Sequence, residues 1–525
     1  MCAQILTAYD DIPLLPIDPS QFRAPYPSDA KVSQVQQQIH DARSLIDQCD
    51  LEIGRLRSTI SLLEEQKKRI TRRIDEYHAL ISPVRKIPVE IWTEIFSIFL
   101  EDSCNLHITY YKISLPTLRL SHVCGFWRTI VMSTPKLWSN LDVNIMHGRD
   151  EMVEAVSFYL DRSKTAPLCL KLTALTKYGH EVYPDRFGSR SWQAFKLLLD
   201  VHTRWFKVKL NFRWQVLNDR EIEGHLKTMS TYCNILQSFS ITMGDTSSPE
   251  PCPHLFRLLE RAPQLQSFSS NYFDKSFTLS FYNLVDISVG SLLAEDMLFY
   301  LSICPKLERA DFAVVNFNRH ANARPVCHTR LCSLKCFFES DIAIADTFMG
   351  LTLPALSRLE LSTRGNQREN RTSLQDLLLR SRCPLKYLNL DSDTFTCDQE
   401  LAEILSLTPK LTHLELDPYH GLTTASFQSL TLEDGKLPLL PQLESFHSQL
   451  YPPFPEPEAI LLMVKSRGQN KRLESFTFIA EYYLTLVDQW ERGQWLTSRA
   501  EPGLQILEEW DPVTNITQMQ ITVSS

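Results

Sequence analysis

The chain has 525 residues, of which 43% are hydrophobic and 22% are charged, and its formal net charge is −8 at pH 7. This length exceeds one ordinary compact core, so the sequence predicts several domains or an extended repeat array and excludes a single small module. The hydrophobic fraction excludes wholesale disorder, and the negative charge gives no global attraction toward phosphate or anionic lipid. We therefore expect no nucleic-acid partner and no membrane partner.

Glycine and cysteine usage narrows the function classes further. The 15 glycines lie more than five positions apart, which excludes the clustered glycines of phosphate-binding loops. The 13 cysteines form no C-x-x-C pair, and such irregular spacing is typical of reduced thiols. Asp10 and Asp11 stand where a signal peptide needs basic residues, so we expect a cytoplasmic or nuclear protein.

Residues 1–30 contain five prolines, which predict an extended tail that is disordered on its own. The next segment, 31–81, is free of proline, and its apolar residues recur in alternating steps of three and four. This spacing is typical of a coiled-coil helix, here about 75 Å long. With Val32 at the first seam position, a, isoleucine predominates at the a positions, which favours a parallel pair.

The pairing of this coiled-coil helix is weakly encoded. Lys67 is a polar residue within the apolar seam, and Glu52 with Arg57 is the clearest opposite-charge pair beside it. Two interpretations stay open: self-association of two copies into a homodimer, and an intramolecular helix packed on the rest of the chain.

The segment 82–145 predicts a small all-α module. Pro88 stands near a helix start, and apolar residues follow it at helical spacing: Ile91, Ile95, Phe96 and Phe99. A second helix carries Trp127 on its apolar face. These are more large apolar side chains than 60 residues can bury, so we expect part of the apolar surface to dock a partner.

Characteristic residue groups are distributed over both halves of this segment: Ile87–Pro88, Glu90–Ile91, Ile95–Phe96, Val123–Cys124, Trp127–Arg128, Pro135 and Leu137–Trp138. On these residues the segment resembles the F-box-like domain of large fungal families. The stretch between Pro88 and Trp127 is longer than in the common form, with the extra residues in 101–115, so we expect remodelled packing there.

The resemblance implies docking of a Skp-type adaptor protein, which bridges to the cullin scaffold of a ubiquitin ligase. It assigns six residues to the adaptor-facing or module-core surface: Ile87, Pro88, Ile91, Ile95, Val123 and Trp127. Packing inside the module is the alternative for each of them.

From about residue 166 onward, a spacing of L-x-x-L-x-L recurs, with its cleanest copies starting at Leu356, Leu385 and Leu411. The last two leucines of each copy point to one side of a short strand, so parallel stacking buries them and exposes the residues between them. Helix-like stretches such as 373–381 lie between these strands. This pattern predicts an irregular α/β leucine-rich-repeat solenoid over 146–525, with a C-terminal cap.

The predicted fold class is therefore α+β and multidomain. The outward positions of the clean repeats are candidate target-binding residues: Arg358, Glu360, Tyr387, Asn389, Asp391, His413, Glu415 and Asp417. Their acidic excess favours a basic ligand, and ordinary solvation of exposed strand positions is the alternative. The aromatic residues Tyr482, Tyr483, Trp490, Trp495 and Trp510 predict the cap, with a binding site as the alternative.

The sequence offers little support for catalysis. Cys327, His328, Cys332 and Cys336 are the nearest approach to a metal cluster, but their spacing does not match known zinc sites. No H-E-x-x-H and no G-x-S-x-G occurs. We expect a protein that is not an enzyme and holds no metal and no cofactor.

These features together predict the substrate-recognition subunit of a Skp-cullin-F-box ubiquitin ligase. The F-box-like module would bind the adaptor, the repeats would bind a target protein, and the coiled coil would pair two copies. The alternative is a non-catalytic interaction scaffold without coupling to a ubiquitin ligase.

Overall fold

The structure is a computed structural model. It describes residues 22–23, 28–101, 104–147, 150–174, 188–213, 216, 220–229, 232–244, 253–260, 262–271, 281–316, 325–339, 341–363, 372–391, 397–417, 422–433, 438–450, 455–468, 475–480, 504–511 and 516–523. Most of the predicted tail and four aromatic residues of the predicted cap, Tyr482, Tyr483, Trp490 and Trp495, lie outside this part of the chain. The chain divides into two compact units, Met1–Trp92 and Thr93–Ser525.

The first unit is dominated by one long helix, α1, which runs from Asp29 to Ile81. Its 53 residues give a rod of about 80 Å. Ser82 ends the helix with φ −56° and ψ 130°, the extended conformation that a following proline imposes. Pro83 then begins a 3₁₀ turn that ends at Lys86. Helix α1 contains no buried residue, so its apolar seam is presented to solvent.

The segment after the long helix contains strands as well as helices. Its elements are α2 (Val89–Glu101), β1 (Leu106–Ile108), β2 (Ile113–Ser114), α3 (Pro116–Ser121), α4 (Gly125–Ser133) and β3 (Asn140–Asn144). Strand β1 pairs antiparallel with β2 and parallel with β3. The residues that lengthen this segment thus form a hairpin that belongs to the sheet, and helices alone do not make up the region.

The remaining chain alternates strands and helices. Its strands are β4 (Leu168–Thr173), β5 (Trp205–Arg213), β6 (Ser238–Gly244), β7 (Ser267–Ser270), β8 (Asp286–Leu293), β9 (Arg309–Asn316), β10 (Val326–Cys327), β11 (Ser333–Phe338), β12 (Leu351–Thr352), β13 (Arg358–Thr363), β14 (Tyr387–Asp391), β15 (His413–Asp417), β16 (Ser445–Leu450), β17 (Ser475–Ala480), β18 (Leu504–Asp511) and β19 (Ile516–Val523). Its helices are α5 (Asp150–Ser163), α6 (Ser189–Asp200), α7 (Arg220–Thr228), α8 (Pro253–Arg257), α9 (Ala294–Ile303), α10 (Asp341–Met349), α11 (Thr372–Ser381), α12 (Asp398–Ser406), α13 (Thr424–Leu430) and α14 (Pro457–Gly468).

One large sheet unites these strands. From β3 to β17, with β10 and β12 left out, each strand pairs in parallel with the next along the chain. Strand β19 then pairs antiparallel with β17, and β18 pairs antiparallel with β19. Strands β10 and β12 form a separate parallel pair. The structure is thus mixed α/β with a large parallel sheet, and the predicted combination of helices with parallel strands is confirmed at this level.

The core forms where alternate strand residues stack in register. Leu359 faces Leu388, which faces Leu414, and all three side chains are buried. Because successive strand residues point to opposite sides of the sheet, burying these leucines directs their neighbours outward. The connecting helices cover the buried side, and consecutive helices from α9 to α14 contact one another.

A buried arginine near the end of helix α14 ties this helix to the preceding loops. The Arg467 Nε donates to the carbonyl oxygen of Leu430 at 2.8 Å, and its two Nη atoms donate to Leu440 and Leu439 at 2.8 and 2.7 Å. Burial lowers the pKa of this guanidinium to about 10. Arg380 near the end of α11 makes an equivalent contact, with its Nη2 donating to Leu351 at 2.7 Å.

Because Arg467 makes three buried hydrogen bonds, its replacement should destabilise the folded chain. We expect Arg467→Met to lower the free energy of unfolding by about 3 kcal/mol, since three buried carbonyl oxygens lose a charged donor. The urea midpoint of the full chain, followed by circular dichroism, measures this change. The matched control is Arg119→Met, because Arg119 is exposed, and it should shift stability by less than about 0.5 kcal/mol. Equal midpoints for the two variants would contradict this role of Arg467.

Candidate functional site

Helix α2 carries apolar side chains on two faces. Trp92, Phe96 and Leu100 follow one another at intervals of four and are buried, Phe96 being only 1% exposed. Ile95, Ile98 and Phe99 occupy another face of the same helix and are exposed, Ile98 at 60% and Phe99 at 62%. A helix that exposes large apolar groups next to a buried stripe offers a surface for another polypeptide.

Val123 adds a further exposed apolar side chain, just before helix α4. We call Ile95, Ile98, Phe99 and Val123 the apolar patch. Every member belongs to the second compact unit. The patch contains two of the six predicted adaptor-binding residues, Ile95 and Val123, and adds two that the sequence prediction left out.

The other four predicted adaptor-binding residues are not members of the patch as defined. Ile87, Pro88 and Ile91 belong to the first compact unit, where Pro88 and Ile91 are exposed and Ile87 is half-buried. Trp127 is half-buried, and its ring meets the edge of Phe96 with the centroids 4.8 Å apart. Such an edge-to-face pair stabilises the packing of α4 against α2, so this indole has a structural role.

The remaining residues of the resemblance also have local structural roles. Cys124 caps helix α4, with its Sγ accepting from the backbone N–H of Trp127 at 3.4 Å. Arg128 Nε donates to the carbonyl oxygen of Ser121 at 3.0 Å, which ties α4 to α3.

The exit of this segment is anchored by a buried tryptophan. Trp138 Nε1 donates to the carbonyl oxygen of Val131 at 2.8 Å. Its ring meets Tyr159 of helix α5 edge to face, with the centroids 4.9 Å apart. The helices α3 and α4 are therefore fixed to the first helix that covers the sheet, which supplies a rigid base for Val123.

A recess beside this segment was not expected from the sequence. It has a volume of about 700 Å³ and is lined by apolar side chains with two glutamates: Tyr111, Ile113, Leu115, Leu118, Ala155, Phe158, Tyr159, Glu151 and Glu154. Three of the lining residues come from the stretch 101–115 that lengthens the segment. The aromatic and aliphatic residues of that stretch were the signal that could have marked it.

The exposed side of strands β13 to β15 brings together the predicted target-binding residues. Arg358 faces Tyr387, which faces His413, while Glu360 faces Asn389, which faces Glu415. Asp391 and Asp417 face each other at the strand ends. We call these eight residues the polar ladder.

The polar ladder is held by contacts between its own members. The Arg358 guanidinium lies 3.5 Å from the Tyr387 ring centroid and forms a salt bridge with Glu360 at 2.6 Å. Asn389 Nδ2 donates to Glu415 Oε2 at 2.8 Å. Burial and the hydrogen bond to Glu415 raise the pKa of Tyr387 to about 12. The ladder thus presents an ordered aromatic, cationic and carboxylate surface.

Lys335 of strand β11 extends this ladder and was absent from the sequence prediction. Its Nζ lies 3.9 Å from Glu360 Oε2, and the two residues face each other across the strands. The signal was available, since Lys335 follows Leu334, the start of a looser copy of the leucine spacing. The predicted target-binding residues were taken only from the three regular copies, so Lys335 was not among them.

In the region from Cys327 to Cys336, His328 makes structural hydrogen bonds to the backbone. His328 is buried, and both its ring nitrogens have backbone partners: Nε2 contacts the carbonyl oxygen of Cys304 at 2.9 Å, and Nδ1 accepts from Leu331 at 3.0 Å. A ring bound at both nitrogens has no lone pair left for a metal. Among the residues that the structure describes, no group of three His, Cys, Asp or Glu side chains is arranged to hold a metal ion.

Within the described ranges, no helix is both long and apolar enough to cross a membrane. Comparison with protein-family models finds no match, and comparison with curated proteins finds none either. The apolar patch and the polar ladder are therefore the features from which function is inferred.

Thiol chemistry tests the exposure of the patch. Cys124 and Cys327 are exposed, whereas Cys233 and Cys304 are buried and burial raises the pKa of each thiol to about 12. We expect iodoacetamide at pH 8 to modify the first two in the native protein, and the buried pair only after unfolding, because the thiolate is the reactive form. Peptide mass spectrometry measures each site. Rapid native modification of Cys304 would contradict the described core.

Proposed function

We propose that the chain is the substrate-recognition subunit of a Skp-cullin-F-box ubiquitin ligase. In this proposal, residues 82–145 are an F-box-like module that binds a Skp-type adaptor, and residues 146–525 are a leucine-rich-repeat-like solenoid that binds a target protein. The chain performs no bond chemistry itself. It raises the concentration of the target near an activated ubiquitin.

The apolar patch is the observation that carries this proposal. The four apolar side chains of the patch are exposed within the segment that resembles the F-box-like domain. Three of them stand on helix α2, whose opposite face is buried, and Val123 lies just before helix α4. Large apolar groups on rigid elements are the usual energetic centre of a protein interface. Ile95 and Val123 were assigned to the adaptor surface from the resemblance alone, and their exposure supports that assignment.

The polar ladder supports the second half of the proposal. Parallel strands in register present their outward residues as a continuous row, which suits an extended peptide or a protein surface. The charged residues of the ladder are mainly acidic. They comprise one arginine, Arg358, and four carboxylates: Glu360, Glu415, Asp391 and Asp417. The ladder therefore favours a target that presents basic residues, which stays a prediction.

A scaffold without ubiquitin-ligase coupling is the second candidate. The observation in its favour is the hairpin of β1 and β2, which occupies the residues that lengthen the F-box-like segment and pairs with β3. Such a hairpin changes the surroundings of the patch relative to the common form. A reconstituted ligase separates the candidates, since a scaffold that retains adaptor binding would leave its captured proteins without ubiquitin.

Charge substitution in the patch tests adaptor binding. We expect Ile95→Glu together with Phe99→Glu to weaken binding of a Skp-type adaptor to the full chain at least 30-fold, because each change places a carboxylate in an apolar interface. Calorimetric titration measures the affinity. Since both side chains are exposed, the far-ultraviolet circular dichroism should stay unchanged.

The matched control is Asp161→Lys on helix α5, where Asp161 is exposed and the helix contributes no residue to the patch. This variant should bind the adaptor like the unaltered chain. Adaptor binding should also slow the alkylation of Cys124, which neighbours Val123. If the double variant keeps its affinity, or if the unaltered chain binds no Skp-type adaptor, the proposal fails.

A further inference from the structure

Helix α1 displays an apolar seam along its length, and among the described residues most of this seam is exposed. Eleven large apolar residues at the a and d positions are exposed: Val35, Ile39, Ile46, Ile53, Leu56, Ile60, Leu63, Ile70, Ile74, Tyr77 and Ile81. The helix is unbroken over 53 residues and buries none of them. An apolar stripe of this length in water requires a second helix.

The charged residues beside the seam carry further information. Arg43, Asp50, Arg57 and Glu64 all occupy e positions and are exposed. None of these four forms an ion pair with another described residue, in contrast to Glu52, which lies 3.7 Å from Arg55 of its own helix. Their charges are thus available to a partner.

In a parallel, in-register pair of α1 helices, the facing seam residues and the flanking charges are poorly complementary. In that arrangement identical seam positions face each other, so Lys67 would face Lys67 of the second copy in the apolar interface. Arg73 at a g position would approach His78 at an e position. Glu52 with Arg57 is the one favourable contact of the flanking positions, and Arg43 and Glu64 would face the uncharged Gln38 and Thr59.

An antiparallel pair with full overlap matches the seam better. Each a residue then faces a d residue of the second copy: Val32 faces Tyr77, Ile39 faces Ile70, Ile46 faces Leu63, Ile53 faces Leu56, Ile60 faces Cys49, Lys67 faces Ala42 and Ile74 faces Val35. Lys67 is the polar residue of the seam and meets Ala42, its smallest. The lysine stem can pass over the alanine methyl group and bring its ammonium to solvent.

The flanking charges favour the same arrangement. In this register e positions face e positions, so Arg43 meets Glu64 and Asp50 meets Arg57 of the second copy. By symmetry each pair occurs twice. No like charges meet at the facing e or g positions of this register.

Shifting one helix by seven residues along the other removes the pairing of opposite charges at the e positions. In one direction Arg43 would face Arg57, and Asp50 would face its own copy. In the other direction Asp50 would face Glu64, and Arg57 would face its own copy. Both shifts also shorten the overlap of the seams, so the charges select a single register.

We propose that α1 pairs with α1 of a second copy as an antiparallel coiled coil in which Arg43 and Asp50 face Glu64 and Arg57. This inference depends on α1 alone and is independent of the proposed ligase function. It places the C-terminal ends of the two rods, at Ile81, about 80 Å apart.

Charge exchange in the full chain tests the pairing. We expect Arg43→Glu to raise the dimer dissociation constant roughly tenfold, because two attractive contacts become repulsive. Adding Glu64→Arg should restore the original value. Sedimentation equilibrium measures both constants, and Arg69→Glu on the outward side of the helix is the matched control.

Disulfide formation tests the orientation directly. In the Ile60→Cys chain, mild oxidation should link Cys49 to the introduced thiol of the second copy, in tryptic peptides 44–55 and 58–67. A Cys49–Cys49 link in the unaltered chain would instead show parallel pairing and overturn the proposal. A monomeric chain at micromolar concentration, or charge variants that do not compensate, would also overturn it.

Discussion

The alternation of buried and exposed residues along the parallel strands is the constraint on which the second unit depends. Leu359, Leu388 and Leu414 stack in register, and a slip of one residue would turn each leucine outward and a polar neighbour inward. Each slipped leucine would expose apolar area worth roughly 2 kcal/mol, so the register is strongly fixed. The polar composition of the ladder is a direct result, because the residues between the buried leucines must point to the outer side of the sheet.

The sequence predicted the strands best where this alternation is regular. The copies at Leu356, Leu385 and Leu411 became β13, β14 and β15, because their spacing is set by local geometry. The short strands β1 and β2 escaped prediction because their pairing connects distant residues, as in Leu106 with Leu141. The contacts within the ladder escaped it as well: the sequence marks Arg358 and Tyr387 as outward, but the stacking of one on the other depends on side-chain conformations.

Helix α2 shows why a candidate interface is harder to predict than a core. The sequence indicated too many apolar residues for the segment, and Phe96 and Phe99 were equivalent members of one predicted stripe. In the structure Phe96 is buried against Trp127, while Phe99 is exposed. The period of a helix identifies its faces, but the neighbouring elements decide which face is covered. The covering of Phe96 depends on α4, which comes later in the chain.

The orientation of α1 follows from a comparison of energies. The isoleucines at the a positions favour a parallel pair by the shape of their packing, and such preferences between good apolar seams are small. Two Lys67 ammonium groups facing each other across that seam would either remain buried at a cost of several kcal/mol or bend away and disrupt the layer. Placing Lys67 opposite Ala42 removes this cost and adds contacts between unlike charges. Lys67 and the flanking charged residues thus determine the relative orientation of the two helices. The apolar seam residues determine only that the helices pair.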